Sequence, residues 1–189
     1  MAARPGINKM VVLQAAIELA DEMSLEQITL ALIAQKLKIK TPSLYNHVEG
    51  MPGLRRDLAH WSLGQMKEYL ADAAIGVSGE DALMAMGLAY LAFARKHPGL
   101  YEASFWGPER NDAHAVQLGE EIIHLILRVM EVYELSEDEA LHAVRGLRSI
   151  FHGFVSLEIN KGFGLALDRD QSFRYILRTF LSGLKRQKP

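Results

Sequence analysis

Apolar residues recur at helical spacing along nearly the whole chain, and no stretch alternates with the period of two that a half-buried strand requires. Met10, Leu13, Ile17 and Ala20 share one face of a helix predicted over about Asn8 to Met23. A second helix, Thr29 to Leu37, turns Leu32, Ile33 and Leu37 inward. A third and shorter one runs to His47. Thr41 is its expected N-cap, and Pro42 sits at the first helical position, where a missing N–H costs nothing. Gly50 and Pro52 mark a break, after which a long helix reaches about Ala74. The segment Gly79 to His97 is apolar nearly all round and reads as a central helix. A short aromatic helix follows over Leu100 to Trp106, then a long one over Glu109 to Tyr133. Ser136 and Glu139 form a capping box for a helix ending near Asn160, and Asp168 caps the last one. The expected fold is all-α with about nine helices: a three-helix N-terminal domain over residues 1–50 and a larger helical bundle over residues 51–189.

Composition narrows the chemistry. Apolar residues make up 49 % of the 189, ample for a core, and there is no cysteine. Disulfides, Cys-based zinc sites and thiol nucleophiles are thereby excluded, and a reducing compartment is suited. The longest uncharged apolar run, Ala82 to Ala94, is too short to span a bilayer. The opening MAARPGINKM lacks the apolar core of a signal peptide, so a cytoplasmic protein with no membrane association is expected. No G-x-S-x-G, Gly-rich phosphate loop or His-Glu-x-x-His occurs, and the histidines lack the i,i+3 or i,i+4 spacing of a helical metal site. No enzyme activity, metal or cofactor is expected.

Charge is more telling by segment than in total, which is −2. Four acids, Glu18, Asp21, Glu22 and Glu26, precede Thr29. From Thr29 to Val48 the chain carries Lys36, Lys38 and Lys40 and no Asp or Glu. Lys36 reads as a solvated surface charge. Local positive potential is enough to attract a polyanion. Within this stretch Ala34, Leu37 and Ile39 supply inward contacts, and Leu44 and Val48 pin the third helix down. That leaves Thr41, Ser43, Asn46 and His47, together with Lys40 and Pro42, facing outward at the size of a DNA groove. Tyr45 is placed to give its hydroxyl to a phosphate, and Thr29 stands at a helix N-terminus that favours one. A helix pair can also be mere scaffolding, and His47 is as readily packing as contact.

The run Ala34-x-x-Leu37-x-Ile39-x-x-x-x-Leu44-Tyr45-x-His47-Val48, followed by Leu54, resembles the helix-turn-helix of the tetracycline-repressor (TetR) family of bacterial regulators. A second run, Arg148 to Leu167, is similar to the C-terminal domain called WHG in one TetR subgroup, through His152-Gly153 and Gly162-Phe163-Gly164, with Phe151 where that name puts Trp. Three positions depart from the family pattern. Lys38 and Ser24 stand where glycines are usual, and Met51 stands where a lysine opens the fourth helix.

The resemblance implies a homodimeric transcriptional repressor, bound to double-stranded operator DNA and released by a small apolar or aromatic ligand. It makes Trp61, Met66, Tyr90, Phe93, Tyr101, Phe105, Trp106 and His124 a candidate ligand cavity; ordinary core is the alternative. It makes the small-residue strip Ala143, Gly146, Ile150 and Gly153, with the stripe Phe173, Ile176, Leu177 and Phe180, a candidate dimer face; an intramolecular crossing is the alternative. A helical small-molecule binder without DNA affinity is the competing function.

Overall fold

The computed structural model describes residues 6–105 and 112–185. Among these there is no strand, and eight α-helices carry the fold: α1 Lys9–Glu22, α2 Leu30–Leu37, α3 Gly50–Ala73, α4 Gly79–Lys96, α5 Pro98–Ala103, α6 Ala113–Met130, α7 Glu137–Ile159 and α8 Arg169–Lys185. A ninth helical element, Thr41–Asn46, is 3₁₀, and two single 3₁₀ turns lie at Leu25–Gln27 and Glu131–Tyr133. No helix among the described residues is long and apolar enough to cross a membrane.

Local chemistry sets most boundaries. Asn8 accepts from the N–H of Val11 to start α1, and Thr29 accepts from that of Leu32 to start α2. Ser136 and Glu139 form the reciprocal capping box of α7. Asp168 accepts from the N–H of Gln171 at the head of α8, 2.8 Å away. Two expectations move. Lys40, not Thr41, takes the N-cap position of the third element, without a side-chain cap bond, and the element winds as 3₁₀ over its six residues. The helix after α4 begins at Pro98 rather than Leu100, since a proline fits its first turn, and it ends at Ala103. The expected start of α6 at Glu109, and Trp106 at the end of the aromatic helix, lie outside the described residues.

The chain packs as two compact units. The first draws on Met1–Gln65 and Ala94–Leu118, the second on Met66–Phe93 and Gly119–Pro189, so α3, α4 and α6 each contribute to both. In the first unit α1 packs against α2 and α5, and α2 against the 3₁₀ helix. Val12, Ala16, Ile33, Leu44, Leu54 and Leu100 fill its core. Gly99 lies on the backbone of α1: a Cβ there would come within 2.0 Å of the Ala20 carbonyl oxygen. His97 meets Asp21 at 2.8 Å, and the buried Ser62 hydroxyl donates to the Leu100 carbonyl. His60 and Asp112 pair at 2.6 Å, tying α3 to the residue whose other carboxylate oxygen caps α6.

The second unit is built round aromatic contacts. Phe151 meets Tyr90 and Phe173 with ring centroids 5.4 and 5.7 Å apart, and Phe154 meets Phe173 and Phe163 at 5.1 and 4.7 Å. Gly87 lets α4 come close to Phe151 and Leu177. Gly146 does the same between α7 and α8, where the Phe180 ring lies 2.7 Å from the place a Cβ would take. Gly153, the other glycine of that strip, has nothing within 4 Å of such a Cβ.

Candidate nucleic-acid interface

The helix pair is joined by a turn that its sequence does not favour. Lys38, just past the end of α2, has φ 57° and ψ 42°, the left-handed region. Its N–H donates to the Gln35 carbonyl and that of Ile39 to the Ala34 carbonyl, at 3.1 and 2.9 Å. This hydrogen-bond pair is a Schellman motif, usually closed by glycine. Ser24, the other departure, has φ −64° and ψ 148°, extended backbone that any residue adopts. A glycine is therefore missed at Lys38 and not at Ser24.

Past this turn the 3₁₀ helix sorts its side chains by face. Leu44 is 0 % exposed and Val48 is buried, while Tyr45 is 63 % exposed. Pro42, Ser43 and Asn46 are exposed with Tyr45; Thr41 and His47 are half-buried; Lys40 and Thr29 are exposed. One buried anchor in a six-residue element makes its other residues an outward ridge. Removing Leu44 would leave a void costing about 2–5 kcal/mol, far more than any surface contact returns.

The cations are distributed differently from what charge counting suggests. Lys36, expected to be solvated, bonds Glu18 at 3.1 Å and Glu22 at 3.5 Å, crossing from α2 to α1. Those carboxylates raise its pKa, the Glu18 hydrogen bond most. Lys38 and Lys40 remain exposed. Met51 is half-buried in the first turn of α3. Two further cations stand beside the ridge: Lys9 bonds Asp57 at 2.8 Å, and Arg56 bonds Glu49 at 2.6 Å. A cleft of about 230 Å³ is lined by Tyr45, Asn46 and His47 together with Lys9, Glu49 and Arg56. The Arg56 hydrogen bond holds the Glu49 carboxyl below its usual range. Lys9 and Asp57 are 48 residues apart, so no signal within one helix reveals their pairing.

The other two candidate sets are divided by the fold. Trp61, Tyr101 and Phe105 belong to the first unit, and Met66, Tyr90, Phe93 and His124 to the second. Met66, Tyr90, Phe93 and Tyr101 are buried, Trp61 and Phe105 half-buried, and His124 exposed; Trp106 lies outside the described residues. His124 lines an open groove of about 620 Å³ with Ile123, Leu127, Leu135 and Leu141, between α6 and α7. Of the α7–α8 set, Ala143, Phe173 and Leu177 are buried within the chain. Gly146, Ile150, Gly153 and Phe180 are half-buried, and Ile176 is 41 % exposed. Burial holds the His152 imidazole below its ordinary pKa, helped by the charge of Arg148.

Known proteins resemble this chain in sequence and in fold. A family model described as the tetracyclin repressor-like C-terminal domain matches residues 83–180, a span that contains the His152-Gly153 run. The chain is 34 % identical over 185 residues to the uncharacterized HTH-type transcriptional regulator YobS of Bacillus subtilis (strain 168), covering 97 % of this chain and 96 % of that one. It is 28 % identical over 187 residues to the uncharacterized HTH-type transcriptional regulator Rv0681 of Mycobacterium tuberculosis, covering 98 % and 85 %. Its fold superposes on that of a TetR protein from Acinetobacter baumannii AYE in complex with minocycline, with a TM-score of 0.73, 19 % identity and coverage of 97 % and 99 %.

Proposed function

Because the chain belongs to the tetracycline-repressor (TetR) family of DNA-binding transcriptional regulators, we propose that its ridge Pro42, Ser43, Tyr45 and Asn46 reads operator DNA. Thr41 and His47 stand at the ends of that ridge, and Thr29 and Lys40 serve the backbone. The carrying observation is the division of one short element into a buried anchor, Leu44, and an outward ridge of groove-sized side chains. In this reading residues 1–50 form the DNA-binding domain and residues 51–189 serve ligand binding and dimerisation. The protein works in the cytoplasm as a homodimer and represses by occupying its site, without catalysis. Two ridges enter successive major grooves about 34 Å apart on a palindromic sequence.

The face between subunits is formed by the exposed side of α7 and α8, with Ile150, Gly153 and Ile176 outermost. Gly146 and Phe180 lie at its edge, and Ala143, Phe173 and Leu177 back it from inside. A small apolar or aromatic ligand is taken by the second domain. Such a ligand releases DNA only by binding the non-operator state better.

The division of labour is tested by titrating two variants against a duplex from the gene's own upstream region and against a shuffled duplex. Tyr45→Phe removes a phosphate donor and weakens both by a similar factor. Asn46→Ala removes a base contact and lowers the ratio between them, by about five- to a hundredfold. Uniform losses from both variants would refute the assignment.

A further inference from the structure

The stretch Thr29 to Val48 contains no carboxylate, and the first one after it, Glu49, is bonded to Arg56. The two residues are seven apart: Glu49 directly precedes α3, whose first residue Gly50 has φ 66°, and Arg56 lies in the second turn of that helix. Gly53 lies between them. A Cβ there would sit 2.7 Å from the Glu49 Cβ, so the bare glycine is what allows the Glu49 side chain to lie along the helix. Both ends of the pair are at the surface, the Glu49 side chain 79 % exposed and that of Arg56 47 %. The neighbouring clasp differs: the Asp57 side chain that holds Lys9 is only 12 % exposed. An exposed ion pair contributes little by itself and is readily exchanged. A guanidinium fork accepts a phosphate in the same two-pronged geometry as a carboxylate. The same cleft that this pair lines is also lined by Tyr45, Asn46 and His47.

We propose that Arg56 is a DNA-backbone contact whose guanidinium is occupied in the free protein by Glu49, an intramolecular stand-in for a phosphate that the duplex displaces on docking. The inference rests on the reading of Thr41–Asn46 as the DNA-facing element. It makes the Glu49–Arg56 pair an autoinhibitory contact: it lowers affinity for every sequence alike and leaves sequence preference untouched. It also supplies a cation near the helix start where Met51 offers none.

The test uses the full-length chain and a mixed-sequence duplex of about 30 base pairs, long enough for both half-sites. Affinity is read by fluorescence anisotropy across a salt series for the wild type, Glu49→Gln, Arg56→Gln and the double variant; thermal melts confirm that each folds. Arg56→Gln is expected to weaken binding and to reduce the slope of log affinity against log salt by about 0.9. Glu49→Gln is expected to tighten binding about two- to fivefold. In the Arg56→Gln background that gain should shrink to about 1.5-fold or less, because the two residues act as one pair. An unchanged salt slope in Arg56→Gln overturns the proposal, as does a Glu49→Gln gain that persists undiminished without Arg56. Tyr45→Phe, run alongside, separates the two readings. If it weakens binding while the Arg56 slope is unchanged, only the exchange fails; if no variant alters binding, the DNA-facing assignment fails with it.

Discussion

Replacing Lys38 by glycine should make the protein more stable, against the usual direction of such a change. Lys38 holds φ 57°, and two backbone hydrogen bonds that any residue would make keep it there. A residue with a Cβ gives up about 1–2 kcal/mol in that conformation, and glycine gives up almost nothing. Against this, glycine raises the entropy of the unfolded chain, worth about 0.4–1 kcal/mol. The net is a gain of about 0.5–1 kcal/mol. For a chain of this size that raises the melting temperature by roughly 1–4 °C. The Lys38 side chain is exposed, so no buried contact is lost with it. Thermal melts followed by far-UV circular dichroism provide the assay, with Lys38→Ala as control. Alanine keeps the Cβ and should leave stability near that of wild type, whereas valine should lower it. A Lys38→Gly protein that melts below wild type, or no higher than Lys38→Ala, would refute the argument from backbone strain.

Two further outcomes follow from the first unit. Gly99→Ala forces a methyl to within 2.0 Å of the Ala20 carbonyl oxygen, backbone against backbone, so α5 must lift from α1. A loss of about 3 kcal/mol or more is expected, seen as a melting temperature lower by roughly 6–12 °C. Asp112→Asn keeps the cap on Ala115 but removes the charge facing His60, for a loss of about 1–2 kcal/mol near neutral pH. Burial alone would raise the Asp112 pKa, but hydrogen bonds from Ala115 and His60 outweigh it and carry the carboxyl below 3.8. A depressed carboxyl stabilises fully above its unfolded value and loses that contribution as pH falls through the folded one. The deficit of the variant in denaturant melts should therefore be present near neutral pH and close below about pH 4; a deficit that persists there would locate the effect elsewhere.

Most helix boundaries were legible because they are set by residues within one turn of each other. Asn8, Thr29, Ser136 with Glu139, and Asp168 each cap the helix that follows them. The anchoring of the ridge was legible for the same reason: in six residues only Leu44 is both apolar and placed to turn inward. The hydroxyl of Thr41 suits a cap, but the tight 3₁₀ winding already includes Thr41 and leaves the cap position to Lys40. The state of the cations was not legible. Lys36 reads as solvated from its own neighbours, yet two carboxylates on α1 reach it.

By itself the sequence determined an all-helical chain, the helix-turn-helix and the family, since helical period, caps and motif spacing are all local. Only the tertiary structure decided which members of each periodic face are available. On α8 it placed Phe173 and Leu177 inside the second unit and left Ile176 exposed. It joined α5 to α1 through His97 and Asp21, 76 residues apart. It also set Arg56 and Glu49 beside Tyr45, Asn46 and His47. A period of 3.6 residues states that a side chain lies on a face; what that face meets depends on chain segments far away in sequence, and it is there that burial and ion pairing are settled.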